Sequence, residues 1–422
     1  MNFSINVAVV DLDGKTSSSV RIYVADSNNS RILVYDKIPA GDGVSADFQL
    51  CYSSSEKTNE TLINWPWGVY ADSERLMVCS TRDGKILVWD THPDSQTDYP
   101  DTIIRTGGTP RCISFDKEGN VLIADHNIGE AAGQNGSITG TRIIKKANFE
   151  NLLSKKGEQS YLYDYLISGQ NGMGQVGTCL ISGKIPALSG ALVAYSGWDG
   201  LLHIYKDGVI DSETDAGDYT IWSSIKDTDV GFYSWSGDLN SVIQDINGNV
   251  YAVSYNGNKV IGYTANTFPT SKGKADVMPD LSWGVKSKSG GETLAVNTNV
   301  TDEMDMLQNC RIDVRGNYLV TCDDFNETFA IYKGIPDETG AIPDVIVEYH
   351  QNGTDMSITR QDFNDVCLFD SDDGKMGFIV GGTQSINVWY DIEDVFDKKD
   401  PDLNIRDKIG NISFSSEEIK TF

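Results

Sequence analysis

Residues 20–39 read VRIYVADSNNSRILVYDKIP. β-Branched, aromatic and other apolar residues crowd 20–25 and return at 31–35, the composition of strands, while Asp-Ser-Asn-Asn-Ser between them supplies turn chemistry. The stretch reads as two antiparallel strands joined by a tight turn. Its second half, RILVYD (31–36), recurs as KILVWD (85–90), RIIKKA (142–147), LLHIYK (201–206), KVIGYT (259–264), TFAIYK (328–333) and INVWYD (386–391). The fifth position falls at or beside Tyr35, Trp89, Lys146, Tyr205, Tyr263, Tyr332 and Trp389, at spacings of 54, 57, 59, 58, 69 and 57 residues. A near-constant period of this kind marks a repeat architecture.

Other segments keep phase with this phrase. A second strand precedes each copy (VRIYVADS, RLMVCST, VLIADHN, ALVAYSG, VYAVSYN, YLVTCDD, MGFIVGG), and before that lies a further one, often ending in an Asp/Gly turn. A loop after the phrase leads to a fourth: ADFQLCY, PDTIIRT, YDYLISG, DYTIWSS, ADVMPDL, PDVIVEY or PDLNIRD. Four strands per unit without intervening helices describe the blade of a β-propeller, because one twisted sheet cannot bury both its faces until others pack against it around an axis. The expected fold is all-β: a single closed propeller of seven four-stranded blades, with six as the alternative count. One domain, 1–422, would hold blades near 3–53, 64–108, 109–173, 174–226, 238–284, 308–353 and 363–410, then a tail, 411–422. The chain opens on an innermost strand and ends on an outermost one, so closure rests on side-chain packing between first and last blades. The tail NISFSSEEIKTF is expected to brace that seam.

The first unit resembles the NHL repeat, in which an apolar strand ends in VADS, an Asn follows, and Arg-Ile opens the next strand. VLIADHN with TRIIKK, and VYAVSYNGNKVIGY, are looser copies. The resemblance implies a propeller. The family spans scaffolds, RNA binders and enzymes, and so implies no single activity.

Composition narrows the function classes. Sixty-one acidic against 34 basic side chains give a net charge of -27, a surface that repels phosphate backbones and argues against a nucleic-acid partner. No apolar run is long enough for a membrane-spanning helix. The start, MNFSINVAVVDLDG, shows no signal peptide. Seven widely spaced cysteines without a CxxC pair form neither a disulfide framework nor a zinc knuckle, which taken alone favours a reducing, cytoplasmic setting. Eight Asn-x-Ser/Thr triplets and the acidic surface favour an extracellular or cell-surface location, the one preferred here. The insertions at 147–178 and 282–309 break the loop pattern and could carry partner contacts. Nothing in the residues specifies an oligomeric state.

In a propeller, the loops before the first strand of each blade and between its second and third strands emerge on one face. Gathering them brings Trp65, Trp67, Trp198 and Trp235 together with Asp199, Asp238, Asn240, Asp324, Asp362, Asn364 and Asp365. Exposed aromatic rings beside carboxylates and carboxamides suit a protein partner or a glycan, although such tryptophans also serve to cover gaps between blades. The expected function is therefore non-catalytic binding on this face, with no cofactor. The alternative is a calcium-dependent hydrolase or lyase at the channel mouth, for which Asn64, Asp238, Asn309 and Asp365 are the candidate ligands. Cys112, Cys179, Cys310 and Cys367 fall near the starts of innermost strands, where the narrow channel wall demands small side chains. His92, His126, His203 and His350 occupy non-equivalent places in different blades, which does not build a shared metal site. No GxSxG elbow is present.

Overall fold

The computed structural model describes residues 4–11, 20–37, 45–50, 63–125, 140–168, 178–195, 201–212, 217–222, 225–227, 232–234, 239–254, 259–271, 281–283, 309–323, 328–337, 341, 343–348, 363–371, 374–382, 385–397, 403–406 and 419–421. Among them are seven four-stranded antiparallel blades. Blade 1 runs β1 (Ser4–Asp11), β2 (Val20–Asp26), β3 (Arg31–Tyr35) and β4 (Phe48–Leu50) from the innermost strand outward. Blade 2 is β5 (Pro66–Ala71), β6 (Leu76–Ser80), β7 (Lys85–Trp89) and β8 (Thr102–Arg105). Blade 3 begins with β9 (Pro110–Phe115), β10 (Val121–Asp125) and β11 (Gly140–Ile144). The chain then leaves the repeat as helix α1 (Lys146–Lys155) and β12 (Gly157–Ser160), and returns as β13 (Tyr165–Ser168) to complete the blade.

Blade 4 comprises β14 (Thr178–Leu180), β15 (Leu192–Tyr195), β16 (Leu201–Tyr205) and β17 (Tyr219–Trp222); a hairpin, β18 (Ile225–Asp227) and β19 (Phe232–Ser234), follows it. Blade 5 is β20 (Leu239–Gln244), β21 (Val250–Ser254), β22 (Lys259–Tyr263) and β23 (Leu281–Trp283). Blade 6 is β24 (Asn309–Arg315), β25 (Tyr318–Asp323), β26 (Thr328–Lys333) and β27 (Val345–Glu348). Blade 7 is β28 (Phe363–Asp370), β29 (Met376–Gly382), β30 (Ser385–Trp389) and β31 (Leu403–Arg406), with a single-turn helix α2 (Glu393–Phe396) before β31. A last strand, β32 (Ile419–Thr421), pairs antiparallel with β27.

The core is a ring of seven interblade layers. Along a strand, successive side chains point to opposite faces, so each middle strand serves two layers. In β10, Val121 and Ile123 pack toward blade 2 with Met77, Cys79 and Ile86, while Leu122 and Ala124 pack toward blade 4 with Leu192 and Ala194. Both faces are apolar, which is why these strands read as continuous hydrophobic runs rather than alternating ones. Each fully buried Val, Leu or Ile contributes about 1.5–3 kcal/mol. The ring closes in the same way: Val20, Ile22, Val24, Leu33 and Tyr35 of blade 1 share a layer with Phe369, Ile379, Ile386 and Val388 of blade 7. Closure is by side-chain packing, as the phase of the repeat implies.

Three local readings are corrected. RIIKKA does not continue as strand to Lys146: β11 ends at Ile144 and α1 begins at Lys146, its Phe149 and Leu152 buried in the layer between blades 2 and 3. Without a β-branched run after Ile144, the KANFENLL stretch places apolar residues at helical spacing. The fourth strand of blade 5, expected within ADVMPDL, lies at Leu281–Trp283. The tail segment 419–421 covers the outer edge of blade 6, beside Val345–Val347, and not the seam between blades 7 and 1. Unpaired outer edges leave backbone donors and acceptors open, and an added strand satisfies them. On blade 2, β12 does the same for β8, in parallel.

Candidate functional site

The corner between second and third strands is where the repeat carries its polar residues. In blade 1, Arg31 Nε donates to Asp26 Oδ2 at 2.7 Å and Asn29 Nδ2 donates to the same carboxylate at 3.0 Å. In blade 3 the equivalent carboxylate is Asp125, which accepts from Arg142 Nε at 2.9 Å, both side chains fully buried. Thr109, ahead of β9, donates its backbone N–H to Asp125 Oδ1 at 2.8 Å, tying the blade entrance to the corner. Blade 2 substitutes Ser80, whose hydroxyl accepts from Asn64 N at 2.8 Å, while Asp83 accepts from Asn64 Nδ2 at 2.7 Å and lies 3.5 Å from Lys85. In blades 2 and 3 this corner thus clamps the loop that enters the first strand, while in blade 1 the Asp26 carboxylate ties together the facing ends of β2 and β3.

Between blades 2 and 3 that face carries Trp65 and Trp67. Their rings meet edge-on, 5.0 Å apart at 65°. Arg82, from the corner of blade 2, lies over Trp65 at 4.9 Å, and Arg111, second residue of β9, lies over Trp67 at 4.0 Å. The result is a ladder of guanidinium, indole, indole and guanidinium, drawn from three chain segments. Both indoles are half-buried and Arg82 is exposed. Trp65 holds a left-handed backbone (φ 50°), which costs a non-glycine residue of the order of 1–3 kcal/mol. Its N–H is held by Ser30 Oγ of blade 1 at 3.2 Å. The strands below come close because Gly68 has no side chain: a Cβ there would sit 2.1 Å from the Arg111 carbonyl oxygen.

The expected face is thus partly assembled in view. Trp65 and Trp67 are together. Asp365 sits in β28 and faces Arg311 of blade 6 at 3.8 Å, at a different junction of the ring. Asn240, Asn309 and Asn364 lie in the innermost strands β20, β24 and β28. Trp198, Asp199, Trp235, Asp238, Asp324 and Asp362 fall outside the described residues, as do His126 and His350. Asn64, a calcium candidate, has its amide nitrogen on Asp83. Among the described residues, no three His, Cys, Asp or Glu side chains converge. Cys112, Cys179 and Cys367 lie in the innermost strands and are unpaired thiols.

Arg82 belongs to the corner loop TRDG (81–84), where only its position over Trp65 marks it, and Arg111, inside β9, is the member of this site that loop reading does not supply. A signal for Arg111 exists in the repeat itself. PWGVYA and PRCISF open blades 2 and 3, and aligning their prolines puts Trp67 and Arg111 at equivalent positions on neighbouring strands.

No family model matches the chain, and no curated protein matches it. Among solved structures it is similar to a streptogramin B lyase (10% identity, TM-score 0.47, covering 92% of this chain and 95% of that one). It is also similar to virginiamycin B lyase from Staphylococcus aureus (10%, TM-score 0.46, 91% and 94%). A third is the β-propeller domain of Cps50 (Swd1) from Myceliophteria thermophila (10%, TM-score 0.46, 92% and 97%). At these values no activity or partner passes from them to this chain.

Proposed function

We propose that this protein is a binding propeller of NHL-like repeats that holds a partner protein on the face built around Trp65 and Trp67. The Asp26–Arg31 and Asp125–Arg142 clamps support the NHL-like reading of the repeat. One observation carries the functional reading: two half-exposed indoles, Trp65 on a strained residue just ahead of β5 and Trp67 within it, are already locked by each other and by two guanidiniums. Trp and Arg are the residues that dominate protein interfaces energetically, and a preset anchor loses little entropy on binding. Backbone strain retained at such a position points to function rather than to folding.

The test compares capture of an identified partner by the wild-type chain, by Trp65→Ala and Trp67→Ala, and by Ser154→Trp on the opposite face. Loss of roughly tenfold or more in affinity for the two tryptophan variants, with melting unchanged, supports the reading; that is about 1.4 kcal/mol. Equal affinity in all four proteins overturns it. Capture of a glycan in place of a protein keeps the face and replaces the partner class.

A further inference from the structure

The insertion after β11 builds a second concavity, on the face opposite the tryptophans. Between α1, the far ends of β5 and β9 and the turns that follow them lies a cleft of about 510 Å3. Small-molecule sites occupy roughly 300–1,000 Å3. Its apolar lining comes from Tyr70, Phe115, Phe149 and Leu153. Tyr70 and Phe115 close in a tilted pair with centroids 4.8 Å apart. Phe149 is buried, while Tyr70, Phe115 and Leu153 are only partly covered by the layer they pack against. Burial, with Asp72 alongside, pushes the Tyr70 phenol up to about 12, so it stays neutral.

Charged groups form the rim, and most of the acids are already engaged. Asp72 Oδ1 accepts the backbone N–H groups of Glu74 and Arg75, each at 2.8 Å. Asp90 is bonded to Lys156, which also reaches Asp101 Oδ1 at 3.1 Å. Two cations are less committed. Lys146 Nζ is 3.9 Å from Glu150, beyond hydrogen-bond reach, and both side chains are mostly exposed. Arg75 Nε is 3.9 Å from Asp72, and Nη2 meets only the exposed Glu74, at 3.2 Å. In a chain of net charge -27 this cleft therefore offers two loosely paired cations beside an aromatic floor.

We propose that the cleft binds a small aromatic carboxylate, its ring on the Tyr70–Phe115–Leu153 floor and its carboxylate met by the rim cations, Arg75 first. A purely apolar ligand desolvates a guanidinium held only at its rim by the exposed Glu74, and an inorganic anion leaves the aromatic floor uncovered. An aromatic carboxylate answers both, with the bidentate geometry that guanidinium favours. The inference is independent of the tryptophan face.

Calorimetric titration with 4-hydroxybenzoate and indole-3-carboxylate, against 4-hydroxybenzamide, tests it. The expected result is saturable one-to-one binding of a carboxylate at or below about 1 mM, tenfold or more weaker for the amide. Arg75→Gln, and Ser154→Trp, which plugs the cleft from an exposed position, each reduce binding tenfold or more without lowering the melting temperature. Trp67→Ala leaves binding unchanged. No saturable binding of either carboxylate, equal affinity for the amide, or binding that survives Ser154→Trp overturns the proposal.

Discussion

Arg111 lies over the indole of Trp67 at 4.0 Å, and the two residues follow the opening prolines of neighbouring innermost strands. The contact is therefore a product of the repeat: consecutive blades present the same position side by side. Stacking of this type is worth about 0.5–1 kcal/mol where exposed and more where desolvated. Arg111→Met is expected to keep the fold and loosen the Trp67 ring, read as a change in tryptophan fluorescence and a weaker grip on the partner. Arg111→Lys recovers part of the effect, since a point charge stacks less well than a planar guanidinium. An unchanged spectrum in both variants counts against the ladder.

Gly68→Ala tests the close approach beneath that pair. The added methyl meets the Arg111 carbonyl oxygen at 2.1 Å, a backbone atom that cannot swing aside. The two innermost strands must part, at a cost of about 1–3 kcal/mol. Thermal unfolding should show a lower midpoint for this variant, while Gly157→Ala, where a Cβ meets nothing within 4 Å, is affected through its positive φ alone.

The fully buried Asp125–Arg142 pair separates two kinds of loss. Asp125→Ala leaves a buried guanidinium whose terminal nitrogens already have no hydrogen bond, and breaking such a pair costs about 3–5 kcal/mol. Replacing both partners together, Asp125→Leu with Arg142→Met, removes the uncompensated charge and restores part of that stability, the Thr109 N–H still losing its acceptor. Denaturant midpoints of the single and double variants decide the matter: a double variant as weak as the single one contradicts this account.

His92 bridges blades 1 and 2. Its Nε2 donates to the Asp72 carbonyl at 2.7 Å, so Nδ1 accepts from the Tyr23 hydroxyl at 2.6 Å. Burial holds this imidazole below its ordinary range, with Arg21 adding to the effect against Asp72 and Asp94. The unfolded chain therefore takes up a proton first as pH falls, from about pH 6.5 downward. The contribution of His92 is complete above that pH and declines below it. His92→Gln should melt with a smaller fall than wild type between pH 7.5 and 5.5. An equal fall in both proteins removes His92 from the acid response.

Three thiols, Cys79 buried and Cys179 and Cys367 partly buried, give a further readout. Burial pushes Cys79 and Cys367 well above the ordinary thiol range and Cys179 up to about 11. Alkylation near pH 8 should label these three slowly in the folded protein and fully once it is denatured, followed peptide by peptide in a mass spectrometer. Rapid labelling of Cys79 in the native state is inconsistent with the layer between blades 2 and 3.

Most of the architecture was legible because it repeats. Seven apolar phrases at even spacing need only local chemistry to be recognised, and the middle strands, buried on both faces, cannot vary much. The exceptions lie where the chain leaves its period. Helix α1 hides in KANFENLLSK, whose apolar residues are too few to announce a helix beside so many strands. The seating of 419–421 on blade 6 depends on where distant edges lie in space, which no local pattern encodes. The same limit applies to the site. Trp65 and Trp67 stand out as loop aromatics, but Arg82 and Arg111 matter only through their positions over those rings.

Amide hydrogen exchange on the complex with its partner addresses the binding claim most directly. Protection on binding should concentrate at residues 63–68, 81–84 and 109–112, where the Trp–Arg ladder and its clamps lie. Protection confined to the opposite-face turns at 72–75 and 116–120, with the tryptophan loop exchanging as in the free protein, would contradict it.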